Sequence, residues 1–449
     1  MTFFIESLGC AKNQVDSEYL IAGLEARGLR WVGSPEAAQI IVVNTCGFIT
    51  SAKEQSIQTS LSLKDRFPEK KVIMMGCLVQ RYGAELQREM REIDGFVGLD
   101  DPEALWQLVS SGAEGAAGGR SPSGGPAGGR SGSDGAAGVV EVPVRSRSRF
   151  LSFPGSAYVK VAEGCSNHCS YCAIPLIRGE LVSRRAEEIL EEIEELLGRG
   201  VVEIVLIAQD LAAYGQDRGT RELTTLVKSI LQLERHFWLR LLYLHPDHFP
   251  AELLDVAASD PRVLPYFDIP FQHASEQVLA RMGRSGSAET YAGLIEGIRR
   301  RIPDAVIRTT FLVGFPGESE EDLQALLSFQ RDCALDWVGV FAYSREEGTP
   351  AYKLADRVTK TVAEERKRAI EQAQIKISEA RLDRQVGRTL DVLVEEPVQG
   401  KQLYLGRAYL QAPEVDGLVV VKADALEPGR IYPVRIERRA GIDLEASLA

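Results

Sequence analysis

What most limits the fold of this chain is the alternation of short apolar runs with amphipathic stretches, repeated on both sides of a segment that cannot pack. Residues 3–8, 40–43 and 72–75 read as buried strands, each followed by a turn and then by helical spacing over 17–27, 52–66 and 81–90. Repeated strand–helix alternation implies a parallel sheet of doubly wound type. Residues 112–138 then consist almost wholly of Gly, Ala, Ser, Pro and Arg. With no aromatic or large aliphatic side chain to offset the entropy of ordering, that segment reads as a flexible linker.

Past the linker the alternation resumes at greater length. Candidate strands at 157–162, 203–208, 238–243, 266–270, 306–313 and 337–343 are separated by helical patterns such as 185–199, 223–235, 288–301 and 319–333. Six strands with crossover helices fit a partial (β/α)6 barrel better than a complete eightfold one. A charged helix over 360–385 leads to β-rich pieces at 389–395, 403–409, 418–421 and 432–436, the pattern of a small all-β barrel. The expected organisation is an α/β domain at 1–111, a linker at 112–150, the partial barrel at 151–381 and the β-barrel at 382–449.

At 449 residues the chain exceeds a single core, and no window approaches the run of about 18 apolar residues that a membrane helix needs. The opening MTFFIESLGCAKNQ lacks a basic segment followed by a long apolar one, so a cytoplasmic protein with no membrane partner is expected. A net charge of −12 weighs against generic binding of phosphate backbones, which rests on Lys and Arg. Seven cysteines, an odd number, argue against a disulfide framework and leave free thiols, metal ligands or catalysts.

Three of them fall in EGCSNHCSYCAIP, as Cys165, Cys169 and Cys172, directly after the first strand expected in the barrel. Barrel active sites are built at that end of the strands. Three thiolates on one loop can hold three irons of a cubane cluster and leave the fourth open. The alternative is a zinc site completed by His168, although zinc commonly takes four ligands in paired motifs. Cys10, Cys46 and Cys77 are distant in sequence, yet each follows an expected strand: FFIESLGC, QIIVVNTC and KVIMMGC. In a parallel sheet those ends share one edge, so these three can converge on a second cluster. The alternative is three buried structural thiols.

The C-x3-C-x2-C loop resembles that of the radical S-adenosylmethionine (SAM) superfamily, whose fold is a partial β/α barrel. The resemblance implies that Cys165, Cys169 and Cys172 ligate a [4Fe-4S] cluster whose open iron chelates SAM, and that reductive cleavage of SAM yields a 5′-deoxyadenosyl radical. It further implies that Tyr171 packs near adenine, that Gly314 and Gly317 of RTTFLVGFPGE admit SAM closely, and that Gln209 is a weaker contact. SLGCAKNQVDSE, VNTCGFI and MGCLVQRY are similar to the N-terminal domain of the methylthiotransferases, which implies a second [4Fe-4S] cluster on Cys10, Cys46 and Cys77 that handles the inserted sulfur. Cys333 matches no role and is expected in the core.

That family divides between enzymes acting on tRNA and one acting on a ribosomal protein. LGCAKNQVDSE, DIPFQHAS and YLGRAYLQAPEVDGLVVV resemble the latter, the last of them its TRAM domain. The implied reaction is methylthiolation at the β-carbon of an aspartate in the small-subunit protein S twelve, with a low-potential electron donor and a sulfur donor as further partners. From residue 382 onward, 9 Lys and Arg stand against 11 Asp and Glu, a net charge of −2 that suits a basic protein better than RNA. The competing readings are a tRNA methylthiotransferase acting on a modified adenosine beside the anticodon, and an iron–sulfur electron carrier. RSRSR at 145–149 could start the basic track that a nucleic acid needs, but beside the linker it reads as solvated tether.

Overall fold

The computed structural model describes residues 1–99, 101–110 and 147–449, so the linker segment 112–138 lies outside the described residues. The N-terminal domain is a five-stranded parallel sheet. Thr2–Ser7, Ile40–Thr45 and Lys71–Gly76 form its centre, with Arg30–Trp31 and Gly95–Val97 as short edges. Ile41, Val42, Val43, Val72, Ile73 and Met74 are fully buried, because helices cover both faces.

The central sheet has six parallel strands that are neighbours in chain order, from Ser156–Lys160 to Trp337–Ala342, and it stays open. Side chains alternate along it. Ile204 and Leu206 face the helices, whereas Val205 and Ile207 join Tyr158, Tyr266 and Trp337 against the C-terminal domain. That domain is a closed five-stranded barrel running from Thr389–Pro397 to Asp443–Leu448. Helix Lys360–Asp383 packs along the last strand of the central sheet before entering it. Among the described residues no helix is long and apolar enough to cross a membrane.

Three expectations need correction. The fourth central strand spans Val263–Asp268 rather than 266–270, with Pro265 inside it. The register against its neighbour Trp238–Leu241 shifts at that point, and such an irregularity is where a strand tolerates proline. The expected linker does not extend to residue 150. Arg147 of the supposed solvated tether is 1% exposed and pairs with Glu18 and Glu192 at 2.8 Å each, while Phe150 packs on the central core. The basic run is therefore no track for nucleic acid at Arg147, because its charge is spent inside the fold. Cys333 is buried in that core, as expected.

Candidate active site between two cysteine trios

The register of the N-terminal sheet decides where its cysteines go. Ser7 pairs with Asn44 and Thr45 with Gly76, so three adjacent strands end at one edge. Cys10 then caps helix Ala11–Ala26, Cys46 follows its strand directly, and Cys77 opens helix Cys77–Glu89. Glycines let these ends close on each other. A side chain on Gly9 (φ +98°) would start 2.8 Å from Cys46 Cβ, and one on Gly47 would lie 2.7 Å from the carbonyl oxygen of Cys77. Asn13 ties the same turns together, donating to the carbonyls of Leu8 and Thr45 at 2.9 and 3.1 Å and accepting from the Cys77 thiol at 3.4 Å. Burial pushes the Cys77 thiol up to about 12 against the pull of Arg178, with Cys10 and Cys46 adding to the rise. The three sulfurs thus share one neighbourhood, and without metal Cys77 holds its proton.

The second trio sits on the loop after Ser156–Lys160. The Cys165 N–H donates to the Gly179 carbonyl (3.1 Å), the Cys172 N–H to that of Cys169 (3.0 Å), and the Ser170 N–H to that of Met282 (2.8 Å), so the loop is held from several sides. Burial raises Cys165 to about 11 and Cys172 to about 12, and Cys169 adds to the rise of both. Neither trio suits one small ion. A tetrahedral zinc at about 2.3 Å from each sulfur would draw three thiolates within about 4 Å of one another. Among the described residues, the one set of three ligand atoms lying within 4.8 Å of one another is Asp210, His245 and His248. His168, the residue that could have completed a zinc set, is exposed and lies 3.6 Å from Glu180 instead. A cubane accepts a wider spacing than one ion does, and seating one on either trio would displace the cysteine protons.

Arg178, just beyond the barrel cysteine loop, reaches the N-terminal trio. It stands six residues beyond Cys172 and is 2% exposed at its side chain. It donates to Asn13 Oδ1 (2.7 Å), Asp16 Oδ2 (2.8 Å), Glu163 Oε2 (2.9 Å) and Cys77 Sγ (3.4 Å). An arginine from the barrel loop therefore bonds a cysteine of the other domain. No sequence motif announced it.

The remaining expected contacts divide. Tyr171 packs edge-on against Phe315 with centroids 6.5 Å apart, and its hydroxyl faces Arg284 at 3.5 Å. Gln209 is half-buried at a strand end beside Asp210, whose carboxylate accepts from Asn167 of the cysteine loop at 2.8 Å. Gly314 and Gly317 do have positive φ, +74° and +80°. However, the space their missing Cβ atoms leave is filled by Ala363 and by the Arg281 guanidinium, so chain packing, not room for a ligand on that side, explains them. Two non-glycine residues at the barrel mouth, Tyr243 and Gln272, are held at φ +67°, a conformation that persists where the surroundings over-determine it.

An open parallel barrel with three cysteines on the loop after its first strand defines a radical SAM protein, and residues 159–329 match the model of the radical SAM superfamily. Residues 2–98 match the uncharacterized protein family UPF0004 and residues 386–448 the TRAM domain. Ribosomal protein uS12 methylthiotransferase RimO from Treponema denticola is 41% identical, covering 98% of this chain and 98% of its own length. Its counterpart from Moorella thermoacetica is also 41% identical, over 96% of this chain and 95% of its own. Among solved structures, the radical SAM methyltransferase TsrM from Kitasatospora setae aligns with a TM-score of 0.54 at 16% identity, over 78% of this chain and 73% of that one. This chain belongs to the family of ribosomal protein uS12 methylthiotransferases.

Proposed function

We propose that this protein replaces a hydrogen on the β-carbon of an aspartate in ribosomal protein uS12 with a methylthio group. Cys165, Cys169 and Cys172 hold the [4Fe-4S] cluster that binds SAM, and Cys10, Cys46 and Cys77 hold a second one that carries the sulfur. When bound, the first cluster and SAM supply the radical that takes the hydrogen. The chain's part is placement. The cysteine loop seats one cluster at the barrel mouth, the N-terminal sheet edge holds the other, and Arg178 ties the two supports together. Tyr171 and Gln209 are proposed to line the SAM side. A low-potential electron donor and a sulfur donor complete the reaction, which proceeds in the cytoplasm, where ribosomal proteins are made.

The observation that carries this reading is a pair of three-cysteine sets, each at strand ends of its own domain, linked by Arg178. Anaerobically reconstituted wild-type protein is expected to hold about eight irons per chain, and Cys169→Ala or Cys46→Ala about four each. Cys169→Ala abolishes SAM cleavage. Cys46→Ala still cleaves SAM but adds no methylthio group to uS12, as read by mass spectrometry. Eight irons in both variants, or modification of tRNA instead of uS12, would refute the reading.

A further inference from the structure

Lys12, two residues after Cys10, is 5% exposed, yet its ammonium lies within 4 Å of no carboxylate among the described residues. Nζ rests 3.3 Å from the centroid of the Tyr243 ring. Tyr243 is fixed beneath it. Its N–H donates to Asp268 Oδ2 (3.0 Å), its carbonyl accepts from the Leu211 N–H (2.9 Å), and its backbone is left-handed, at φ +67°.

The nearby acids are already answered by other cations. Asp268 is paired with Arg308 at 3.0 Å. Asp16 is paired with Lys160 and Arg178, and Glu163 takes the same two, at 2.7 and 2.9 Å. Arg308 serves Asp416 as well, at 3.4 Å, so three cations hold these four acids in direct ion pairs while Lys12 touches none of them. A buried ammonium without an anion is costly, and an aromatic face offsets only part of that cost. Lys12 follows the edge that carries Cys10, Cys46 and Cys77, while Tyr243 follows strand Trp238–Leu241 at the barrel mouth. The unpaired ammonium thus lies where the two domains meet, beside the N-terminal trio.

We infer that Lys12, on its Tyr243 platform, binds the side-chain carboxylate of the substrate aspartate and so selects aspartate over its uncharged isostere. The inference rests on the reading of function above. An ammonium held against the carboxylate leaves the adjacent β-carbon as the carbon presented between the two clusters. It also makes the carboxylate's charge a condition of productive binding, because an amide would leave Lys12 still unpaired.

The test compares two substrates, uS12 and uS12 in which the aspartate that the wild-type enzyme modifies is changed to asparagine. Each is offered to wild-type and Lys12→Met enzyme, and the methylthiolated product is quantified by mass spectrometry alongside iron per chain. Wild type is expected to favour aspartate by roughly 100-fold or more in kcat/KM. Lys12→Met, with the iron content of wild type, should narrow that preference to about fivefold or less. Three results would overturn the inference: a wild-type enzyme indifferent to the two proteins, a variant that keeps the wild-type preference, or a variant that loses the iron of the N-terminal trio. The last would make Lys12 a counter-charge for the cluster. A wild-type enzyme that modifies neither protein would sink the underlying reading itself, and that outcome is distinct from unselective modification.

Discussion

Glu203 joins the central sheet to the C-terminal barrel, and replacing it with glutamine isolates the value of one buried charge. Its carboxylate is fully buried and accepts from Arg240 Nε (2.8 Å), Arg407 Nη2 (2.6 Å) and Ser156 Oγ (2.8 Å). Arg407 belongs to the barrel strand Leu403–Arg407, and Arg240 reaches the barrel carbonyl of Tyr409 at 3.1 Å. Burial alone would raise the acid, but Arg407 and Arg240 overcome it and hold Glu203 at about 2. A glutamate ordinarily ionises near about 4.3, so the ion contributes about 3 kcal/mol at neutral pH. Removing one member of a buried ion pair costs about 3–5 kcal/mol, in agreement. Because the folded value is depressed, this stability is complete above about pH 4.3 and disappears as the pH falls toward about 2. Tryptophan fluorescence during urea unfolding reads the junction, since the Trp337 indole donates to the Leu410 carbonyl of the barrel at 2.7 Å. Glu203→Gln should unfold about 3 kcal/mol more easily at pH 7, and the gap to wild type should start to close below about pH 4. A difference under about 1 kcal/mol at pH 7, or one independent of pH down to about 3, would refute the argument.

Two further predictions concern the site. Gly47→Ala places a methyl group against the Cys77 carbonyl at 2.7 Å and the Leu78 Cα at 2.8 Å, both backbone atoms that cannot give way cheaply. Iron analysis should show the N-terminal cluster depleted while SAM cleavage persists. Arg178→Met removes the donor to Cys77 and strands the charges of Asp16 and Glu163 on Lys160 alone. Methylthiolation of uS12 should fall about 10- to 100-fold, and more than the rate of SAM cleavage falls.

Most of the fold was legible because it rests on local patterns. Continuous apolar runs such as QIIVVNTC can only be strands buried on both faces, and their alternation with helices dictates a parallel sheet. The elements that escaped lack that pattern. Arg30–Trp31 is two residues long, and Asp443–Leu448 reads DLEASL, in which Leu444 and Ala446 carry the buried face almost alone. Within the site the cysteine positions were readable because each stands at a strand end. Arg178 and Lys12 were not, since their meaning lies in partners far along the chain. Arg178 meets Asn13 at a separation of 165 residues, and Lys12 meets Tyr243 in another domain. Arg147 misled for the same reason. Its Gly- and Ser-rich surroundings suggest solvent, whereas Glu18, 129 residues away, decides its burial.

Charge acts on this chain at two ranges, and they pull in opposite directions. Under the proposed function, a net charge of −12 would draw a basic substrate protein toward the enzyme over distances of about a Debye length, roughly 8 Å at physiological salt. That same field repels the one acidic side chain on which the chemistry acts. The repulsion must be reversed at contact, where screening is weak and a single buried cation outweighs many distant anions. Among the described residues beside the N-terminal trio, Lys12 is a buried ammonium with no ion pair of its own. Long-range acidity and a local lysine are therefore complementary requirements for a protein that must attract a basic partner yet take hold of its aspartate.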